Sequence, residues 1–396
     1  MHRWEPHVRR PQLTNSATTE RLGDTGHGCS PGAYADTAPS RRHPPLAALL
    51  ALLLVLAGLL AGAAPAHART AAIKVLRGNV RWSTSPVQLK DSYQLAAGAT
   101  LVIDPGVLVE LSPGVALYID GTLLALGSAE RPIVLAGAAG RRWEGIFANR
   151  GSRIDLQHTN IYNGGAGGTL LASDSGELRM DTVLLTANGG QVRANNSRVD
   201  IRHATITQNE MPYGAALEVA FTQSYGAQIA FLLNDSWIAN NVLSEGAPAL
   251  QIANQGAPDM LILDLQRNLL ASASGPDLGL VANGQLGGNI TCNTFTRGAT
   301  GLSIHSNAPP TFNTLLNIRT NAIERHAPPL DPFYRSNNIG RGATSEIGLN
   351  LTGNWWGNRS GPYSADRHAD GRGDAVSSTV QFADWLTERP ACVPPL

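Results

Sequence analysis

The chain has 396 residues, its 30 Lys and Arg balance its 30 Asp and Glu, and charged residues are only 15% of the total. Such a chain is not built to neutralise nucleic-acid phosphates, and at 43% apolar it is too hydrophobic to stay disordered. With 42 Gly, 24 Pro, 6% aromatics and two lysines, Lys74 and Lys90, it suits short strands and tight turns rather than long helices.

Residues 46–63 read LAALLALLLVLAGLLAGA, preceded by Arg41, Arg42 and His43 and followed by Ala66-His67-Ala68. The basic flank, the short apolar run and the small residues predict a signal peptide cleaved after Ala68. An uncleaved anchor is the alternative, since about 18 apolar residues can just span a bilayer. Cleavage leaves residues 69–396 as one domain with no second hydrophobic span, so no membrane insertion is expected afterwards. The product would be secreted, periplasmic or at the cell envelope. Cys29 falls in the leader, leaving Cys292 and Cys392. In an exported chain these can close a disulfide that ties the tail to a late repeat; two unpaired thiols, with Cys292 facing inward, is the alternative.

Ahead of the first repeat, residues 101–135 alternate apolar and polar positions across turn residues, as short strands do. A pattern of apolar, any, apolar, any two, small or polar, any, apolar then recurs eight times. It begins with Ile154/Leu156/Thr159/Ile161 and ends with Leu349/Leu351/Asn354/Trp356. Each copy predicts two period-2 strands broken by a bend, because helices need apolar spacings of three and four. Such strands bury their inner faces only by stacking copy on copy, about 4.8 Å apart. With a further short strand in each coil, the expected fold is all-β, a parallel β-helix with an N-terminal cap near residues 71–87 and a capping tail over 357–396. Asn268, Asn293, Asn321 and Asn354 occupy the small or polar position of the last four copies. They are expected to take left-handed backbone geometry at the bend and to hydrogen-bond along the stack. Residues 210–227 and 327–346 read as insertions between copies.

The run ATLVIDPGVLVELSPGVALYIDGTLLALGSAERPIVLAG, the string GNWWGNRSGP at 353–362 and GDAVSSTVQFADWL at 373–386 together resemble secreted repeat proteins of the pectin-lyase-like superfamily. The resemblance implies a right-handed parallel β-helix with three short strands per coil. It implies no single activity, because that architecture hosts lyases, hydrolases and non-catalytic surface proteins.

Several residue sets invite chemistry. The outward position of the first strand reads Asp155, Arg179, Asp200 in three successive copies, with carboxylates about 9.6 Å apart if copies stack without offset. That is near the separation of an inverting glycoside hydrolase, and it equally describes a surface salt-bridge column. The resemblance to β-helix lyases implies calcium beside a basic residue, and with no lysine after Lys90 only arginine is available. The Asp-Asp pair usual in the related hydrolases is absent. Asp366, Asp370 and Asp374 are a possible calcium set, or a solvated loop. His158, His203, His305, His326 and His368 are scattered over the copies, and no G-x-S-x-G elbow or phosphate-binding loop occurs. For sugar, Trp237, Tyr213, Tyr225, Trp355 and Tyr334 are the candidate stacking residues, with packing of loops as the alternative.

The expected function is therefore an exported, non-catalytic protein that binds polysaccharide or a surface glycan, with no cofactor beyond a possible calcium. A polysaccharide lyase or glycoside hydrolase is the first alternative. A periplasmic copper-site accessory protein is the second, disfavoured by the scarcity of Cys and Met.

Overall fold

In the computed structural model the described residues are 73–223, 229–307, 315–327 and 339–396, all within one compact unit, Arg69–Leu396. The expected signal segment and the cleavage site predicted after Ala68 lie outside them. Among the described residues there is no α-helix and one short 3-10 turn, Ala138–Gly140. The rest is strand and turn, and the strands pair in parallel into long sheets, compatible with a β-helix or other solenoid.

One sheet has twelve strands. It opens with Ile73–Leu76, Ser92–Leu95, Ala116–Ile119 and Gly145–Ala148, and closes with Arg341–Ser345 and Ala375–Val376. The repeat copies supply the other face. Arg153–Tyr162 pairs with Glu177–Thr186, placing Ile154 beside Leu178, and the same register continues through Val199, Phe231 and Leu263. These five side chains are fully buried and form one apolar column. Period-2 alternation is what turns them all to one side. Each contributes roughly 1.5–3 kcal/mol by leaving water.

The bends differ from the sequence expectation in an instructive way. The left-handed residue is not the asparagine but the residue before it: His158, Thr182, His203, Asp235, Arg267, Cys292 and Thr320 have φ between 43° and 59°, and Gly353 has φ 71° in the last copy. That residue points its side chain outward, which frees the next one to turn in. Asn268, Asn293, Asn321 and Asn354 are wholly buried and linked in series. Each of the last three presents Oδ1 to both the backbone N–H and the Nδ2 of the preceding asparagine, at 2.9–3.0 Å. Their own amides donate back to carbonyls of the copy before, as Asn293 does to Leu265.

A second ladder follows the second strand of the earlier copies and was not anticipated. Ala187, Gln208 and Asn240 are left-handed, and the residues after them, Asn188, Asn209 and Asn241, are buried and bonded in sequence. Residues 73–87, expected as the entry cap, pair into the sheets: Ile73–Leu76 with Ser92–Leu95 and Asn79–Trp82 with Thr100–Ile103. The supposed insertions also carry regular strands. Leu217–Phe221 and Arg341–Ser345 both belong to the twelve-stranded sheet, and in the second the alternation is hidden among Gly, Ala and Thr.

Because a β-branched residue in the left-handed region costs roughly 1–2 kcal/mol, Thr320→Asn should stabilise the fold by about 1 kcal/mol. The Thr320 N–H bond to the Gly353 carbonyl is retained in that variant. A thermal melt should rise by about 2 °C; a melt that falls would mean the Thr320 methyl makes packing contacts worth more than the strain.

Candidate functional site

The charged column predicted from the sequence exists in register. Asp155 lies beside Arg179, and Arg179 beside Asp200. It is part of a larger lattice, because Arg153, Glu177 and Arg198 form a parallel column, and so do Gln157, Asp181 and Arg202. Every charged neighbour, along a strand or between strands, has the opposite sign. Asp155 is nearly buried and receives Arg153 at 3.3 Å, Gln157 at 3.1 Å and Arg179 at 3.9 Å. Asp200 is held by Arg202 of its own strand at 2.9 and 3.2 Å. A shallow groove of about 220 Å³ lies over the lattice, lined by Arg153, Glu177, Arg179, Arg198 and Asp200. Both carboxylates proposed for catalysis are thus committed to guanidinium groups, in a face whose charges cancel internally.

Asp366, Asp370 and Asp374 do not converge. Asp366 and Asp370 are exposed, while Asp374 accepts hydrogen bonds from the His326 ring at 2.6 Å and from the His326 N–H at 3.2 Å. No cluster of three or more His, Cys, Asp or Glu side chains suited to a metal occurs among the described residues. The set does not fit calcium, because a ligand must face its neighbours and Asp374 faces a histidine instead.

The other His326 nitrogen lies 2.7 Å from Asp277 Oδ2, and the imidazole is completely buried between the two acids. His326 follows the left-handed Arg325, the position held by Asn188, Asn209 and Asn241 in earlier copies. Here an imidazole takes that place, bonded to an acid on either side. Burial alone would lower the His326 pKa, but its bonds to Asp277 and Asp374 outweigh it and raise the value to about 9. Burial pushes the Asp277 carboxyl up to about 7, against the imidazole and the N–H groups of Ser272 and Gly298. Asp277 and the His326 ring are closed to solvent, Asp374 is 12% exposed, and together they join the tail to the stack.

The sugar-stacking candidates do not form one surface. Tyr213 is 69% exposed, its ring lying over Gly168, where a Cβ would come within 3.1 Å of it. Trp237 packs on Ala239, Leu269 and Ala271. Trp237 and Trp355 share an outward column, but Leu269, Thr294 and Ala322 intervene, a distance of about 19 Å at 4.8 Å per step. The tail crosses that column: Arg389 bonds Glu324 at 2.7 Å and Thr294 at 3.0 Å, and Thr294 donates to the Pro394 carbonyl. Cys392 is joined to Cys292 by a disulfide, so neither sulfur is a free thiolate. Tyr225 and Tyr334 lie outside the described residues.

A surface not singled out from the sequence has more of what saccharide binding needs. On the outer face of the twelve-stranded sheet, Gln94, Tyr118, Phe147, Ala172, Arg193, Glu218 and Gln251 stand in one register column. Tyr118 and Phe147 are half-buried and stacked, with centroids 5.7 Å apart and planes at 26°. Beside them Asp120 accepts from Gln94 Nε2 at 2.6 Å and from Asn149 Nδ2, which fixes a row of polar groups along the rings. Arg193 and Glu218 continue the column, 3.7 Å apart. The signal was present as the outward third residue of the strand ALYI and of the strand GIFA, but their adjacency depends on which strands pair.

Comparison with known proteins returned no match: no family model fits the chain, and no curated protein or solved structure is similar to it.

Proposed function

We propose that this protein is an exported right-handed parallel β-helix of the pectin-lyase-like kind, with three short strands per coil, and that it binds polysaccharide without cleaving it. The observation that carries the reading is the Tyr118–Phe147 stack on the outer face of the long sheet, flanked by the Asp120 and Asn149 row. Aromatic rings offer apolar faces to the C–H faces of a pyranose, and fixed amides and carboxylates take its hydroxyls. Tyr118 and Phe147 stand within strands, and Asp120 and Asn149 directly follow those strands, which holds the groups more rigidly than a long loop would. A glycan array probed with the purified protein, read for binding and for released reducing or unsaturated ends, tests it. Phe147→Ala is expected to weaken binding of the retained polymer by about tenfold with no product released. Undiminished binding by that variant would remove the long-sheet face from consideration.

A lyase or hydrolase is the second reading, favoured by the register of Asp155, Arg179 and Asp200 under a groove. Released product that disappears in Arg179→Ala would establish it in place of the first.

A further inference from the structure

In GNWWGNRSGP the two tryptophans face opposite ways, as neighbours in an extended segment must: Trp356 is fully buried and Trp355 half-exposed. The Trp355 indole N–H donates to Glu324 Oε2 at 2.9 Å, and Glu324 is ion-paired with Arg389 of the tail, so the ring is held at a fixed angle. Gly357, at φ 83°, then turns the chain. Residues 356–361 and 372–374 are zipped together by Arg372 N–H to Ser360 Oγ, Gly373 N–H to the Gly361 carbonyl, and Asp374 N–H to the Trp356 carbonyl, each 2.9 Å. Asn358 accepts from the Ser360 N–H and hydroxyl at 3.1 and 3.0 Å, which stiffens the same turn. The result is an open recess of about 660 Å³ walled by Trp355, Asn358, Arg359, Ser360, Asp370 and Arg372. Arg359 and Arg372 are exposed on its rim and, unlike Arg389, form no ion pair among the described residues.

We infer that this recess is a second binding site, for an anionic saccharide whose ring lies on Trp355 and whose carboxylate or sulfate sits between Arg359 and Arg372. Planar guanidinium groups recognise such anions by paired hydrogen bonds, and two uncompensated ones on a preorganised rim supply that recognition without first breaking an ion pair. Asp370 gives the rim one acceptor for a sugar hydroxyl and repels a polyphosphate. With no net charge on the whole chain, a nucleic acid is the poorer fit. The inference extends the glycan-binding reading to a surface that shares no residue with the Tyr118–Phe147 face.

The test uses the purified full chain, with calorimetric titration of a hyaluronan octasaccharide for the carboxylate, a heparin octasaccharide for the sulfate, and maltooctaose as the neutral probe. At least one charged probe is expected to bind, to weaken with added salt, and to lose about tenfold or more in affinity in the Arg359→Gln/Arg372→Gln protein. Trp355→Phe keeps a ring and should bind better than Trp355→Ala, while melting curves of all variants confirm an intact fold. The inference is overturned by unchanged affinity in the double variant, by maltooctaose binding as tightly as both charged probes, by tighter binding of a single-stranded oligonucleotide, or by no binding of either charged probe up to about 1 mM. Loss confined to Phe147→Ala would overturn it while leaving the long-sheet reading in place, and loss confined to the arginine variant would do the reverse.

Discussion

Asn293→Ala is expected to lower the free energy of unfolding by roughly 4 kcal/mol, a large share of the 5–15 kcal/mol that holds a typical domain together. The side chain is wholly buried, and its removal leaves the N–H and Nδ2 of Asn268 without their Oδ1 acceptor at 2.9 Å. It also strips a donor from the Leu265 carbonyl and from Asn321 Oδ1. Each buried polar group left unpaired costs roughly 1–3 kcal/mol, because water cannot reach it. The exposed pair Asn317 and Asn289, bonded at 2.9 Å, is the comparison. Asn317→Ala should cost no more than about 0.5 kcal/mol, since solvent replaces the lost bond. Urea denaturation of the two variants decides the matter, and equal midpoints would show that the buried ladder contributes no more than surface amides do.

Stability should also fall steeply as pH rises from neutrality. His326 has an ordinary value of 6.5 and is held near 9 in the folded protein. A group whose folded value is raised stabilises fully below its unfolded value, and that contribution is lost as pH climbs through the folded one. The window therefore opens at about 6.5 and closes above about 9, and the shift corresponds to about 3 kcal/mol. The physical event is loss of the imidazole proton that faces one of two carboxylates, leaving lone pair against lone pair in a dry site. Asp277, raised by burial to about 7, acts in the same direction at lower pH, because the fold favours its protonated form. His326→Gln should be less stable than the parent at pH 6 and should lack the alkaline decline. A parent melting temperature that stays flat from pH 6.5 to 9.5 would mean that the imidazole is neutral throughout.

Much of this architecture could be read from residue order, because the spacing of Ile154, Leu178, Val199 and Phe231 encodes a period of two and a stacking direction at once. The asparagine ladder was readable for a similar reason: Asn268, Asn293, Asn321 and Asn354 repeat in phase with the apolar column. What was misplaced was the left-handed residue. His158, Thr182, Asp235 and Arg267 share no side-chain chemistry, so only the backbone reveals that they do one job. The second ladder escaped because its members, Asn188, Asn209 and Asn241, give way to Ser272, Gly298 and His326 in the later copies. Site residues were harder still. Asp374 looked like a calcium ligand beside Asp366 and Asp370, but its partner, His326, lies 48 residues away. Tyr118 and Phe147 become neighbours only once their strands are known to pair.

The bridge between Cys292 and Cys392, 100 residues apart, has a mechanical consequence. A pull applied at Leu396 reaches Cys292 through four residues of tail and the sulfur pair. The repeats between the two cysteines are then a closed loop that carries no tension, and extension must begin on the N-terminal side of Cys292. Once the bridge is reduced, the same pull would peel the last strands away one after another, so the oxidation state of a single bond selects which part of the stack resists.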